Sequence, residues 1–381
     1  MAEAEATKQP AKTPAKQPAA AETAEPSLID RGLGPIFRLE RGERIRVAVI
    51  AVLFAFVFLV LPGMLSAYWT DVSTSVVIYT IVALGLGLLM GRVGLVSLGQ
   101  VALLALGAWV GARLLFATGL PFPVVTIMTG LITMGLGCLI GLPALRVSGL
   151  YLALITLMLA GAITVVIAAT DFPNGGAGFL GHTDATTGAQ IIRRPSIALG
   201  DDAFFRYCVV WAALMFALSL WHVRGKPGRA WATIRQSEPA ALAAGVNISL
   251  YKMWAFALAS FMTGVAGALL AAQVGTLYNL TFPTQDSIIL LAVVLMGGIY
   301  SLWGAVVAGL LIKLLPALLD NWGLPPDLLT ILFGLGVIQV LTTAPAGLVD
   351  QFPKDMARLG RFLWRLVGSP GARPAGTAGS E

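Results

Sequence analysis

Apolar runs of membrane-spanning length alternate with short polar stretches along most of this chain. They fall at roughly 46–66, 74–91, 95–117, 122–142, 148–169, 203–222, 253–273, 287–319 and 327–345. A hydrocarbon core of about 30 Å needs about 20 apolar residues in a helix, so each run predicts a transmembrane helix. The 287–319 run is anomalous. Its ~33 residues would extend about 50 Å as one helix, yet two full spans need about 40 residues. Gly297-Gly298 sits inside it, which predicts two short helices meeting at the glycine pair. The fold class expected is an all-α polytopic membrane protein of about ten helices (8–10), some short or broken.

Polar composition then sets the ends. Residues 1–30 are Ala, Pro, Lys, Glu and Thr in the main, too polar to build a core, and read as a disordered N-terminal tail. The tail is not a signal peptide, because the first apolar run begins only near Val47 and no small-residue cleavage site follows it. Residues 31–352 form the transmembrane unit, and 353–381 a basic C-terminal tail. In that tail Met356, Leu359, Phe362, Leu363 and Leu366 recur at helical spacing beside Arg358, Arg361 and Arg365. This suits either an amphipathic helix on the inner leaflet or a solvated tail helix.

Charge gives the orientation. Arg31, Arg38, Arg41, Arg44 and Arg46 precede the first run, and Lys354, Arg358, Arg361 and Arg365 follow the last. Positive flanks mark the cytoplasmic side, so both termini are expected inside and the span count even. Ten spans place Arg92, Arg146 and the 223–252 loop inside. They place 67–73 and 274–286, which lack Lys and Arg, outside. Arg193 and Arg194 in the 170–202 loop run against this bias.

Composition excludes most soluble functions. Of 381 residues 57% are hydrophobic and 12% charged, half the ~25% of ordinary domains. Cys138 and Cys208 lie in separate apolar runs and read as core residues. His182 and His222 share no ligand spacing, and no Walker loop, dinucleotide fingerprint or nucleophile elbow is present. No cofactor, metal, nucleic-acid partner or catalytic residue is expected. Intramembrane acids and bases are scarce, which counts against an ion-coupled carrier.

The loop 223–252 carries the clearest local signals. Ser237 is a good N-cap, Pro239 is acceptable in a first turn, Ala240 to Ala244 favour helix, and Gly245 fits a left-handed end. Ala230 to Arg235 predicts a further turn or two. By composition this could be an ordinary solvated loop. In residue order, however, GRAWATIRQSEPAALAAGVNISLYK resembles the coupling loop of the membrane subunits of bacterial ABC importers. Within these it looks most like the branched-chain amino-acid permease family. In such subunits a Glu-x-Ala-Ala-x-x-x-Gly core docks into the cytoplasmic ATPase; here it corresponds to Glu238, Ala240, Ala241 and Gly245. Further blocks match in order: GRVGLVSLGQVALLALGAW (91–109), GLPALRVSGLYLALITL (141–157), FPNGGAGFLG (172–181), 287–312 and 331–348. Tyr300, Gln100 and Asp171-Phe-Pro-Asn depart from the family's usual Gly, His and Thr-Gly-Gly.

The resemblance implies a permease in the bacterial cytoplasmic (inner) membrane. It would pair with a second homologous permease subunit, two cytoplasmic ATP-binding subunits and an extracytoplasmic solute-binding protein. The expected cargo is a branched-chain or related hydrophobic amino acid; urea, amide or sugar permeases are the alternative, and an ion-coupled carrier or an assembly protein more distant ones. ATPase coupling is expected at Arg235, Ser237, Glu238, Ala240, Ala241 and Gly245. Substrate-path candidates are Ser97, Gly99, Gln100, Thr156, Ser260, Thr263, Gly297, Gly298 and Ser301; each hydroxyl could instead bond its own helix. Gly94-Leu-Val-Ser97-Leu-Gly99 also echoes Gly298-Ile-Tyr-Ser301-Leu-Trp-Gly304, the pattern of an internal repeat.

Overall fold

The computed structural model describes residues 52–351, apart from 53, 145–148, 170–191, 193, 278–281, 326, 344–346 and 350. The two tails, Arg146 and most of the 170–202 loop lie outside the described residues. The described residues from Phe56 onward belong to one compact unit. Helices in chain order are α1 Leu61–Met64, α2 Ala67–Leu88, α3 Gln100–Thr118, α4 Phe122–Ala144 and α5 Leu150–Ala169. Then come α6 Asp201–Arg224, α7 Lys226–Gln236, α8 Glu238–Ala243, α9 Ile248–Val274, α10 Asp286–Gly297, α11 Gly304–Gly309, α12 Leu315–Asn321 and α13 Asp327–Thr343. Wider π turns at Leu89–Val93 and Leu310–Leu314 continue α2 and join α11 to α12. The chain is all-helical among the described residues. Among the described residues six helices are long and apolar enough to cross a membrane: Ala67–Val93, Gln100–Thr118, Phe122–Leu139, Asp201–Arg224, Ile248–Val274 and Gly304–Asn321. Tyr151–Ile167 and Asp286–Gly297 are shorter apolar helices.

Helix α9 is the spine, with its apolar residues from Ala255 to Ala272, Phe261 apart, buried between α3, α4 and α2. The contact is close because glycines face it. A Cβ on Gly107 of α3 would lie 2.8 Å from the Gly264 Cα, and one on Gly264 would lie 2.6 Å from the Thr133 Cβ of α4. In lipid, helices gain little by hiding apolar surface from one another, so small residues that admit backbone-level contact decide which pair. Gln273 at the end of α9 donates to the Asp71 carbonyl at 2.9 Å and Ser75 Oγ at 2.8 Å, which ties it to the first turns of α2.

Two boundaries differ from the sequence expectation. Residues 67–73, expected as an outer loop, are the first two turns of α2. Ser66 is extended, Thr70 N–H donates to the Ser66 carbonyl at 2.9 Å, and no Gly or Pro interrupts the stretch. Residues 95–99, expected within a span, are not helical. Gly94 takes φ +84°, Leu95 N–H closes back on the Leu89 carbonyl, and α3 starts afresh at Gln100. The predicted break in 287–319 is present: α10 ends at Gly297, Gly298 has φ +116°, and α11 begins at Gly304.

The crossing at the spine can be tested. Gly264→Val should lower stability by about 1–3 kcal/mol through overpacking. Gly87→Ala, whose added Cβ meets nothing within 4 Å, should be neutral or stabilise by up to about 1 kcal/mol. Thermal unfolding in detergent, followed by circular dichroism, reads both.

Candidate functional site: the α7–α8 element and the two helix breaks

The loop between α6 and α9 is a compact two-helix element. Trp231, fully buried in α7, donates its indole N–H to the Tyr251 carbonyl at 2.8 Å and stacks beside His222 of α6. That indole clamps α7 to the end of one span and the start of another. Sequence reasoning passed over Trp231; the signal was Ala230, Trp231 and Ile234, three residues on one face, all buried.

Helix α8 is defined at both ends by its own residues. Ser237 is extended and its Oγ accepts the Ala240 N–H, an N-cap worth about 1 kcal/mol. Gly245 has φ +75°, and the Gly245 and Val246 amides return to the Leu242 and Ala241 carbonyls. Asn247 Oδ1 then caps α9 on Leu250 N–H at 3.1 Å. Pro239, Ala240, Leu242 and Ala243 are exposed, whereas Ala241 is buried against the chain. The docking candidates thus divide: Ala240 is presented, and Ala241 fixes the seat from beneath. Glu238, expected in the docking core, is engaged by Lys252 Nζ at 2.6 Å. That ammonium is nearly buried, so losing the carboxylate would strand a charge.

Arg235 does not point outward with the docking face. Its Nη1 donates to the Gly91 carbonyl at the end of α2, and its guanidinium lies 4.4 Å over the Tyr300 ring. Arg92 Nη2 donates to the Tyr300 carbonyl at 3.1 Å. Gly91 touches the Ile299 backbone so closely that a Cβ there would collide with its carbonyl. The end of α2, the α10–α11 break and α7 therefore meet.

The path candidates fall into two groups. Ser97, Gly99, Gln100, Thr156 and Thr263 gather at the start of α3. Thr156 Oγ1 accepts the Leu98 N–H at 2.9 Å, Ser97 Oγ accepts the Gly99 N–H, and Thr263 Oγ1 lies 2.8 Å from Gln100 Oε1. Thr263 is also 2.9 Å from the Ala259 carbonyl, and its one proton serves only one of these. Gln100 is 1% exposed, and its Nε2 has no hydrogen-bond partner among the described residues. Ser260 is not in the group; it bonds the Phe256 carbonyl and packs on Gly137 of α4.

Gly297, Gly298 and Ser301 form the second group at the α10–α11 break. A Cβ on Gly297 would meet the Gly304 carbonyl at 2.3 Å, so both glycines serve close packing there. The two breaks share local form. Each opens on a positive-φ glycine, Gly94 or Gly298, followed three residues on by a serine. Ser97 accepts the N–H two residues ahead of it, at Gly99, and Ser301 accepts that of Trp303, just before a helix begins.

The family model for the "branched-chain amino acid transport system / permease component" matches residues 68–341, from the first turn of α2 to the last turns of α13. The chain belongs to this family. It is 31% identical over 271 residues to the high-affinity branched-chain amino acid transport system permease protein LivM of Salmonella typhimurium. That match covers 66% of this chain and 63% of the relative. LivM of Escherichia coli K12 is 30% identical over 301 residues, 73% of this chain and 70% of that one. The chain thus spans roughly two thirds of the length of these relatives. No solved structure matches it. The described residues include no group of three or more His, Cys, Asp or Glu placed to hold a metal.

The left-handed end of α8 gives a local test. Gly245→Val should fray the element, because a β-branched residue at φ +75° is strained by roughly 1–2 kcal/mol, whereas Gly245→Asn should be tolerated. Limited proteolysis should nick the valine variant between 237 and 247 and spare the asparagine variant.

Proposed function

We propose that this chain is the transmembrane permease subunit of an ABC importer for branched-chain or related hydrophobic amino acids. Family membership supports a permease, and the α7–α8 element supports the ATP-driven class. The observation that carries the reading is a rigid, capped α8 with a small exposed face, seated on the ends of two spans through Ala241, Trp231 and Lys252. Such an element passes force into the bundle, where a solvated loop would absorb it.

In this reading the cytoplasmic face holds α7–α8, Arg92 and the α10–α11 break. Two ATP-binding subunits dock on Ala240, Leu242 and their neighbours, a second related permease completes the path, and a solute-binding protein delivers cargo from the opposite face. ATP-driven closure of the ATPase pair moves α8, and the bundle changes state through the differential contacts of each state.

The cargo meets the two breaks. A helix start offers unpaired N–H groups and a partial positive charge suited to a carboxylate. Gly99, the N-cap of α3, gives it no side-chain cap, and the unsatisfied Gln100 amide lies in its first turn. A buried polar group without a partner costs about 1–3 kcal/mol, and a passing zwitterion would relieve that cost transiently. Interrupted helices serve this purpose in other transporters.

The test is leucine uptake into proteoliposomes carrying the chain with its genetically adjacent ATPase, permease and binding-protein partners. Uptake should require ATP and the binding protein; uptake driven by an ion gradient alone would overturn the reading. Ser97→Ala and Ser301→Ala should lower the leucine rate severalfold without loss of assembly, and wild-type rates in both would remove the path assignment. Leu242→Glu should abolish co-purification of the ATPase. In intact cells a cysteine at Leu242, with Cys138 and Cys208 replaced by alanine, should react with an impermeant maleimide only after permeabilisation.

A further inference from the structure

Three segments of the chain meet at one aromatic residue, Tyr300. Arg235, in the last turn of α7, lays its guanidinium 4.4 Å over the Tyr300 ring. Arg92, in the π turn that closes α2, donates to the Tyr300 carbonyl at 3.1 Å. Arg235 also donates to the Gly91 carbonyl, next to Arg92. Two cations are thus drawn to the same residue, one by the ring face and one by the carbonyl. Neither arginine has an acidic partner within salt-bridge distance among the described residues. Arg92, Arg229 and Arg235 instead line an open cleft of ≈ 570 Å³ with Gly228 and Ala232, so α7 has free space on one side.

Tyr300 lies in the break itself, between Gly298 at φ +116° and the start of α11 at Gly304. A break is where a helix bends at least cost, and the Arg235–Tyr300 contact joins α7 to it. Motion of α7 toward or away from α2 must therefore load or release the Arg235–Tyr300 contact. Trp231 holds α7 to α6 and α9.

We propose that Tyr300 is a positioning residue. Its ring, gripped by Arg235, transmits displacement of the α7–α8 element to the α10–α11 break and so sets how much cargo moves per ATP hydrolysed. The proposal rests on the ABC-importer reading and deepens it. The ring is the active part. Phenylalanine keeps the face that a cation favours, and leucine keeps the backbone carbonyl for Arg92 but offers no such face.

The decisive measurement is leucine imported per ATP hydrolysed by the full complex in proteoliposomes. Tyr300→Phe should match the wild type. Tyr300→Leu should lower the ratio about two- to fivefold, the size of one cation–π contact, and Arg235→Gln should do likewise. The double variant should be no worse than either single. A wild-type ratio in Tyr300→Leu, or multiplied losses in the double variant, would overturn the proposal. A second readout is independent of transport. Spin labels at Gln236 and Trp303 of the purified full chain should give a narrow distance distribution in the wild type and Tyr300→Phe, and a broadened one in Tyr300→Leu. Equal widths in all three would also overturn the link. A wild-type complex that used no ATP would defeat the importer reading, while the spin-label result would still decide whether the contact holds the two segments together.

Discussion

A backbone amide or carbonyl left unpaired in hydrocarbon costs several kcal/mol, and this constraint governs every feature of the bundle. It forces the chain into helices, and it makes each place where a helix stops within the bundle expensive. Two such stops lie among the described residues, at Gly94 and at Gly298. Both stops are furnished with internal partners. Thr156 and Ser97 take the amides of Leu98 and Gly99, Ser301 takes that of Trp303, and Arg92 takes the Tyr300 carbonyl. Gln100 Nε2 remains unsatisfied beside them.

Packing follows from the same solvent. Without a hydrophobic drive between helices, association depends on how near two backbones can come. Gly107, Gly264 and Gly267 let α3 lie against α9 at backbone contact, and Gly309 does the same for α11 against Thr80 of α2. The rigid spine so formed gives α7–α8 a firm base. Trp231 and the Glu238–Lys252 pair attach the element to it, and Arg235 extends from it to the α10–α11 break. One continuous chain of contacts thus runs from an exposed small-residue face to a helix break.

Much of this was legible in the sequence because it depends on short-range chemistry. The apolar run lengths gave the helices. The excess length of 287–319 with its glycine pair gave the break. Ser237, Pro239 and Gly245 gave α8, since caps and left-handed ends are properties of two to five consecutive residues. The same local rules misjudged 67–73, where nothing prevents a helix from starting at Ala67. They also missed 95–99, where Gly94 turns the chain left-handed just before residues that are apolar enough to be helical.

What the sequence determined by itself, then, is the fold class, the family and the local shape of the α8 element, because hydropathy, caps and turns are read within a few residues. What only the tertiary structure decided is which side chains meet. Glu238 finds Lys252 fourteen residues on, Thr263 meets Gln100 across 163 positions, and Arg92 reaches Tyr300 across 208. Ala241 proves to be a buried seat and Arg235 a link to the Gly91 carbonyl, although both lie in a loop that by composition reads as solvated. Such pairings depend on the crossing of helices remote in sequence. Those crossings are set by backbone contact at glycines, whose partners no local pattern names.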